Sequence, residues 1–474
     1  MILTVGENEA YQSIGAAIAA ANAGDTVVVR GGVYRERVVV NKAISLIAAE
    51  GEQPVIDGGY SREWAKISGT GWRDLKYRAP AATMGDGFSV RSNKVMIIGF
   101  RIINCVNGVS VGAFDTVTIR DLDIEHVYNT GVLVNGTTGK ARNITVENVR
   151  VNVASVRLFD GSRVHSDPQG VSGVLKFGNC ENVVVRNCQA LRGFGEGINI
   201  GKDAFNVLID GCLVVDSQHK GIYVNRSKQV RIIGNIVAFT GDPGHDWIKQ
   251  SHPAGIGVND ETARGNYGDS SDITIENNLV IDAGILLQIT GDDPQGIYTV
   301  KGNTFIWGPY ARKGVQIGGP YKGEVKGNLF HVTPGATVVT GNPAGLTWGD
   351  NRWSIAPPAK WRGEGDVYGD LGLKAPDIMP TAEHDGYGMG TWIDIDPANY
   401  RPIGAPEPPV EPPDPPDEPD PPTPPDYASI IKVLERHLAR LEDAGLAVGA
   451  AIVDTHELID RLRTAAGYIQ KESK

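Results

Sequence analysis

Positive charge is scarce in this 474-residue chain: 45 Lys and Arg stand against 56 Asp and Glu, a formal net charge of −11. Phosphate backbones are held by clustered Lys and Arg, and no basic stripe runs through the sequence, so no nucleic-acid partner is expected. An anionic membrane surface is disfavoured on the same ground. Long apolar runs are also missing; none approaches the roughly 18 residues that a bilayer-spanning helix needs. Met1 leads straight into Ile2-Leu3-Thr4-Val5, without the basic flank and apolar stretch of an export signal. The expectation is a chain that meets no membrane and follows no secretory route. Cysteine is sparse as well: Cys105, Cys180, Cys188 and Cys212 form no C-x-x-C pair and have no His at zinc-ligand spacing, which argues against a metal site on them. What is plentiful is turn-forming residues, 60 Gly and 28 Pro, and these argue against a mainly helical body.

A repeat organises the rest. Short β-branched strands begin at Val95, Val117, Ile144, Val183, Val207, Val230 and Ile273, each followed closely by Asn, Asp or Gly. Where no insertion intervenes, the starts lie 22, 24 and 23 residues apart (95 to 117, 183 to 207, 207 to 230). A second set lies between them, at Gly131-Val-Leu-Val, Gly197-Ile-Asn-Ile, Gly221-Ile-Tyr-Val and Gly255-Ile-Gly-Val, so each repeat carries at least two strands. A period of this length with alternating apolar residues predicts coils stacked about 4.8 Å apart, their strands pairing in parallel around one continuous core. Cys188 and Cys212 share one phase of the repeat and read as small apolar residues stacked inside it. Asn187, Asn235 and Asn277 suit tight corners, because Asn tolerates left-handed backbone.

The open first coil of such a solenoid needs a cap. Residues 10 to 22 place Tyr11, Ile14, Ile18 and Ala21 on one helical face before Gly24-Asp25 turns into Thr26-Val-Val-Val-Arg30. The run Ala-Gly-Asp-Thr-Val-Val-Val-Arg-Gly-Gly-Val-Tyr-Arg-Glu (23 to 36), with Ser45-Leu-Ile and Pro54-Val-Ile-Asp-Gly-Gly59, resembles the opening of pectin-lyase-like β-helix proteins. With the coils, the resemblance covers residues 1 to 345. It implies an all-β fold: a right-handed, single-stranded parallel β-helix, or solenoid, with an N-terminal capping helix.

Four segments follow in chain order: the capped β-helix (1–345), an irregular lid with Trp348, Trp353, Trp361 and Trp392 (346–404), a linker (405–426) and a helical tail (427–474). Residues 59 to 83, with Trp64, Trp72 and Tyr77, interrupt the coils and read as a flap. The linker is dominated by Pro, Glu and Asp and predicts an extended, self-repelling stalk. In the tail, Ile431, Leu434, Leu438, Leu441, Gly445, Val448, Ile452, Thr455, Ile459, Leu462, Ala466 and Ile469 follow 3,4 spacing. This spacing predicts a coiled coil and a homo-oligomer, a trimer by preference. The alternative is a two-helix hairpin breaking near Asp443-Ala-Gly445.

Residues of equal phase in successive coils form rows, and a groove site on a solenoid is built from such rows. The corner before the second strand set carries Tyr128, Asn129, Asp167, Gln169, Glu196, His219, Lys220 and His252. Outward positions on the strands themselves are Lys176, Asn199 and Tyr223. Tyr, Asn and charged groups in a line match a hydroxyl-rich polysaccharide. Lys176, His219 and Tyr223 are the candidate catalytic groups, able to move a proton beside a uronate carboxylate in lyase or epimerase chemistry. Tyr128, Asn129, Asp167, Glu196, Asn199, Lys220 and His252 are the candidate substrate-binding groups. The alternative is an ordinary solvated edge.

Motifs of the resembling enzymes are only partly present. Polygalacturonase-like enzymes share an Asn-Thr-Asp strand, an Asp-Asp pair, a Gly-His-Gly and an Arg-x-Lys; here Asp292-Asp293 stands alone in a turn-like Gly-Asp-Asp-Pro-Gln-Gly. The paired Asp with Gln and Arg of pectin-esterase-like proteins is not found. Alginate-epimerase-like sites carry Asp-Pro-His-Asp or Asp-Pro-His-Glu, and Asp167-Pro-Gln169-Gly places Gln where the His stands, with His165 two residues upstream. The loop from Asn259-Asp-Glu261 to Asp269 and Asp272 gathers carboxylates but matches no calcium-loop spacing, so no metal or cofactor is expected and calcium is the one ion it would suit. Gly193-Phe-Gly195-Glu-Gly197 precedes no helix and reads as a coil corner, not a phosphate cradle. The leading expectation is a virion-type spike or tail protein that is assembled in the cytoplasm, oligomerises through its C-terminal helix, and binds, or also trims, surface polysaccharide. Tailspike-like proteins attach through the N-terminus, so a C-terminal helix that meets other virion proteins departs from that pattern. The competing expectation is an extracellular polysaccharide lyase or uronate epimerase.

Overall fold

Three strands, not only the two legible in the sequence, make up each coil. The computed structural model describes residues 1–59, 85–155, 173–239, 254–260, 270–291, 296–307, 311–319, 321–332, 335, 337–369 and 371. All of them fall in the unit Met1–Ala405. The strands stack into three parallel sheets of 13, 13 and 11 strands, called A, B and C in the order in which a coil visits them. Val95, Val117, Ile144, Val183, Val207, Val230 and Ile273 pair one above the next in sheet A, so the two-dozen-residue spacing is one turn of the solenoid. Sheet C carries the second strand set, and the strands missed in sequence are the three-residue strands of sheet B, such as Arg101–Ile103 and Leu213–Val215.

Period-2 alternation builds the core. In sheet A, Val183 and Val185, Val207 and Ile209, and Val230 and Ile232 point inward and join one cluster that runs through the described coils. In sheet C the inward residues are Leu175 and Phe177, Ile198 and Ile200, Ile222 and Val224, and Ile256 and Val258. The glycines that open the sheet C strands have a steric cause. A Cβ on Gly197, Gly221 or Gly255 would lie 2.2–2.3 Å from Val214, Val237 or Val280 of sheet B, and 2.6–2.9 Å from a carbonyl oxygen of the next coil.

The corner from sheet A to sheet B takes one left-handed residue per coil: Asn148, Asn187, Gly211, Gly234, Asn277, Gly302 and Gly327 all have φ between 51° and 63°. Asn187 and Asn277 stand at the corner as expected. Asn235 does not; Gly234 takes the left-handed place, which costs glycine no Cβ clash, and Asn235 lies one residue later, buried. There it starts a ladder. Its amide nitrogen donates to Asn278 Oδ1 at 2.9 Å, and the pattern repeats from Asn278 to Asn303, from Asn303 to Asn328 and from Asn328 to Asn351 at 2.9–3.0 Å. Asn351 closes the row on Asp366, 2.8 Å from its backbone nitrogen. Cys188 and Cys212 occupy the same row before the amides begin, and Cys212 N donates to Asn235 Oδ1 at 2.8 Å. Burial, then the neighbouring Cys188, pushes the Cys212 thiol well up, which leaves it unreactive.

The cap is a single helix, Ile14–Ala20, shorter than the 10–22 span. Ser13 Oγ accepts from Ala16 N at 3.2 Å, Glu36 accepts from Ile14 N and Gly15 N at 2.8 and 2.9 Å, and Ile14, Ala17 and Ile18 are buried. A strand the sequence reading missed, Ile2–Val5, precedes it and pairs with Thr26–Val29 as the first rung of sheet A. At the other end the coils continue past residue 345: Leu346–Gly349, Arg352–Trp353 and Val367–Tyr368 extend the sheets. Trp348, Trp353 and Trp361 pack there, with the Trp353 ring stacked 4.1 Å from Phe330. The flap with Trp64, Trp72 and Tyr77, the carboxylate loop 261–269, Asp292-Asp293, Trp392, the stalk and the helical tail lie outside the described residues.

The longest insertions share one address. Residues 60–84, 156–172 and 240–253 each fall between a sheet B strand and the following sheet C strand: after Pro54–Asp57, Arg150–Asn152 and Ile236–Ala238. Insertions on a rigid scaffold concentrate where binding is done.

Candidate functional site

Strand register places the outward residues of sheet C in one row. Ser89, Ser110, Leu133, Lys176, Asn199, Tyr223, Gly257, Gln288, Gln316 and Thr340 are successive Cα partners. From Lys176 to Gln316 this is five rungs, about 24 Å. Lys176, Asn199 and Tyr223 are thus adjacent members of one line, with Lys176 about 10 Å from Tyr223 along it. Three residues earlier in each strand a second row forms at the corner, with Glu196, Lys220, Ala254, Ile285 and Lys313.

Lys220 does not stay at its corner. Its side chain runs over Gly257 in the next coil, and its Nζ lies 3.6 Å from the centroid of the Tyr223 ring. With the Asn259 amide oriented to satisfy its neighbours, the Asn259 oxygen accepts from Lys220 Nζ at 3.2 Å while its nitrogen donates to Thr290 Oγ1 at 2.8 Å. Tyr223 therefore forms a floor, 5% exposed, beneath a cation. Glu196 and Asn199 are buried one coil before, with Asn199 Nδ2 donating to Glu196 Oε2 at 2.6 Å.

A cleft of about 660 Å³ opens beside Lys220. Lys220, Arg312 and Lys313 bring positive charge to it, and Asn259 and Gln288 bring amides. Ala254, Gly284 and Ile285 supply its apolar wall, and His219 borders it. Gln288 continues the amide line, donating to Gln316 Oε1 at 3.3 Å. His219 is pushed down to about 4 by burial and then by the charge of Lys220, so its ring is neutral at neutral pH.

Of the residues singled out in the sequence, Lys176, Glu196, Asn199, His219, Lys220 and Tyr223 lie on this face. Asp167 and His252 lie outside the described residues. Tyr128 and Asn129 sit three rungs, about 14 Å, before His219. Asn129 belongs to a separate polar group, donating to Asn107 Oδ1 at 2.9 Å, while Asn107 donates to Asp86 Oδ1 at 2.7 Å. Gln288, Gln316, Arg312 and Lys313 escaped the sequence reading. A signal was present, since Gly314-Val-Gln316-Ile repeats the Gly-apolar-x-apolar pattern of Gly197-Ile-Asn199-Ile. Among the described residues no group of His, Cys, Asp and Glu is arranged to hold a metal ion.

Residues 5–231 match the family model described as the Pel9A-like, right handed beta helix region. No curated protein matches the chain by sequence. Among solved structures, PfbA, a surface adhesin of Streptococcus pneumoniae, is similar at 13% identity and a TM-score of 0.51, over 78% of this chain and 90% of that one. XylC in complex with xylose is similar at 11% identity and a TM-score of 0.51, over 78% of this chain and 86% of that one. At such identities the likeness is one of fold. The described residues form a right-handed parallel β-helix.

Proposed function

We propose that sheet C binds an extended acidic polysaccharide, laid along the row from Lys176 to Gln316 with one anionic group in the cleft at Lys220. The observation that carries this reading is charge placed against the trend of the chain. In a protein of net charge −11, Lys220, Arg312 and Lys313 converge on one cleft that the amides of Asn259 and Gln288 also line, and the Lys220 ammonium rests on the Tyr223 ring. Amides and aromatic faces suit sugar hydroxyls and ring C–H faces, and ammonium and guanidinium groups suit carboxylates. XylC, which shares the fold, is described in complex with xylose.

A second reading, cleavage of a uronate polymer by elimination, has one observation in its favour: a neutral His219 bordering the cleft. Proton abstraction is most effective when the base titrates near the working pH. A base held at about 4 lies some three units away, so binding is the stronger reading. Titration calorimetry with acidic polysaccharides, run beside ultraviolet absorbance for unsaturated products, separates the two. Binding predicts saturable heat, a flat absorbance trace, and an affinity about tenfold weaker in Lys220→Ala, because a hydrogen bond to a charged group contributes about 1.5–3 kcal/mol. Equal affinity for neutral and acidic polymers would overturn the reading.

The assembly part of the proposal rests on sequence. An acidic stalk at 405–426 followed by heptads at 427–474 suits a trimeric, virion-type spike in which the tail meets other virion proteins and the β-helix presents its side to a cell-surface polymer. An extracellular enzyme or adhesin with the same β-helix is the alternative placement.

A further inference from the structure

Across the outward row of sheet C, Gly257 is the one described position without a side chain; its neighbours in register are Tyr223 and Gln288. The space it leaves is filled from the coil before it. A Cβ on Gly257 would lie 2.8 Å from Lys220 Cδ, 3.2 Å from Cε and 3.6 Å from Cγ, and these three stem atoms are its nearest contacts. The absent side chain is thus a trough that fits the aliphatic stem of Lys220. At the end of the trough, the Tyr223 ring and the Asn259 oxygen fix the ammonium at 3.6 and 3.2 Å.

We propose that Gly257 is a positioning and specificity-determining residue: its missing side chain carries Lys220 across the sheet and sets its ammonium in the floor of the cleft, where it meets an anionic group of the polymer. The ligand in this inference rests on the polysaccharide reading; the placement of Lys220 rests on geometry alone. Without the trough, Lys220 returns to the solvent side of its corner and the centre of the row loses its cation. The cleft then keeps Arg312 and Lys313 at its edge beside Gln288, with no cation over the Tyr223 ring. Lysine is a point charge on a flexible stem, so its placement depends on what the stem lies against.

The test is Gly257→Ala in the full chain. The three atoms nearest the added methyl all belong to the flexible Lys220 stem, and no left-handed backbone is involved at Gly257, so the variant keeps its fold and an unchanged melting temperature. Two readouts apply. Without any polysaccharide, acylation of Lys220 by an amine-reactive ester, followed by peptide mass spectrometry, is expected to run at least threefold faster in the variant, because the ammonium leaves its ring and amide. With an acidic polysaccharide, affinity is expected to fall about tenfold in Gly257→Ala, about tenfold in Lys220→Met, and no further in the double variant. An unchanged acylation rate overturns the positioning role whether or not the polymer binds. Additive losses in the double variant overturn the claim that Gly257 acts through Lys220. If acylation accelerates while no acidic polymer binds the parent protein, the positioning role stands and the polysaccharide reading falls.

Discussion

Replacing Asn278 with alanine removes the second step of the buried amide ladder. Asn278 Oδ1 accepts from the backbone nitrogen and from the side-chain amide of Asn235, both at 2.9 Å, and the site is 1% exposed. Alanine strands both donors where water does not reach. Each unsatisfied buried donor costs about 1–3 kcal/mol, and the lost volume adds about 1 kcal/mol, for a total of about 5 kcal/mol. The matched control is Asn182→Ala in the exposed amide row, where Asn182 donates to Asn143 Oδ1 at 3.1 Å and accepts from Asn206 at 2.8 Å. Those partners return to water, and the left-handed backbone at Asn182 accounts for a cost of about 1–2 kcal/mol. Urea unfolding compares the two variants, and hydrogen exchange is expected to lose protection first at Asn235, Asn278 and Asn303. An Asn278→Ala loss no larger than that of Asn182→Ala would refute the reasoning that buried amide stacking, and not mere occupancy, holds these coils.

Two further outcomes follow from the same structure and sequence. The folded protein holds His219 near 4 against an ordinary value of 6.5, so the unfolded chain takes up a proton first as pH falls. Its contribution is complete above about pH 6.5 and is lost between there and pH 4, an effect on the order of 3 kcal/mol that His219→Gln should remove from a stability-versus-pH curve measured by urea unfolding. Removing residues 427–474 is expected to lower the molar mass by light scattering from a trimer to a single chain; equal single-chain mass with and without the tail would end the spike assignment.

The coil period was legible because sheet A strands are β-branched and evenly spaced; Val183, Val207 and Val230 could be stacked from their numbers alone. Sheet B was not, because strands such as Leu213–Val215 hold three residues, too few to show an alternation. Asn235 reads as a corner in the sequence because Asn serves both left-handed turns and buried ladders; the preceding Gly234, which frees it from the turn, is the feature that separates the two roles. Lys176, Asn199 and Tyr223 could be read as one row, since register follows from the period. The path of Lys220 could not. It depends on a glycine 37 residues later in the chain, and strand numbering does not show a side chain crossing from one coil to the next.

A crystal structure of the protein soaked with an acidic oligosaccharide of six or more sugars tests the central claim most directly. Density is expected along the outer face of sheet C, with one carboxylate within hydrogen-bonding distance of Lys220 Nζ and sugar hydroxyls on Gln288 and Gln316. An oligosaccharide bound at an end of the solenoid, or on sheet A or sheet B with the Lys220 cleft empty, would contradict it.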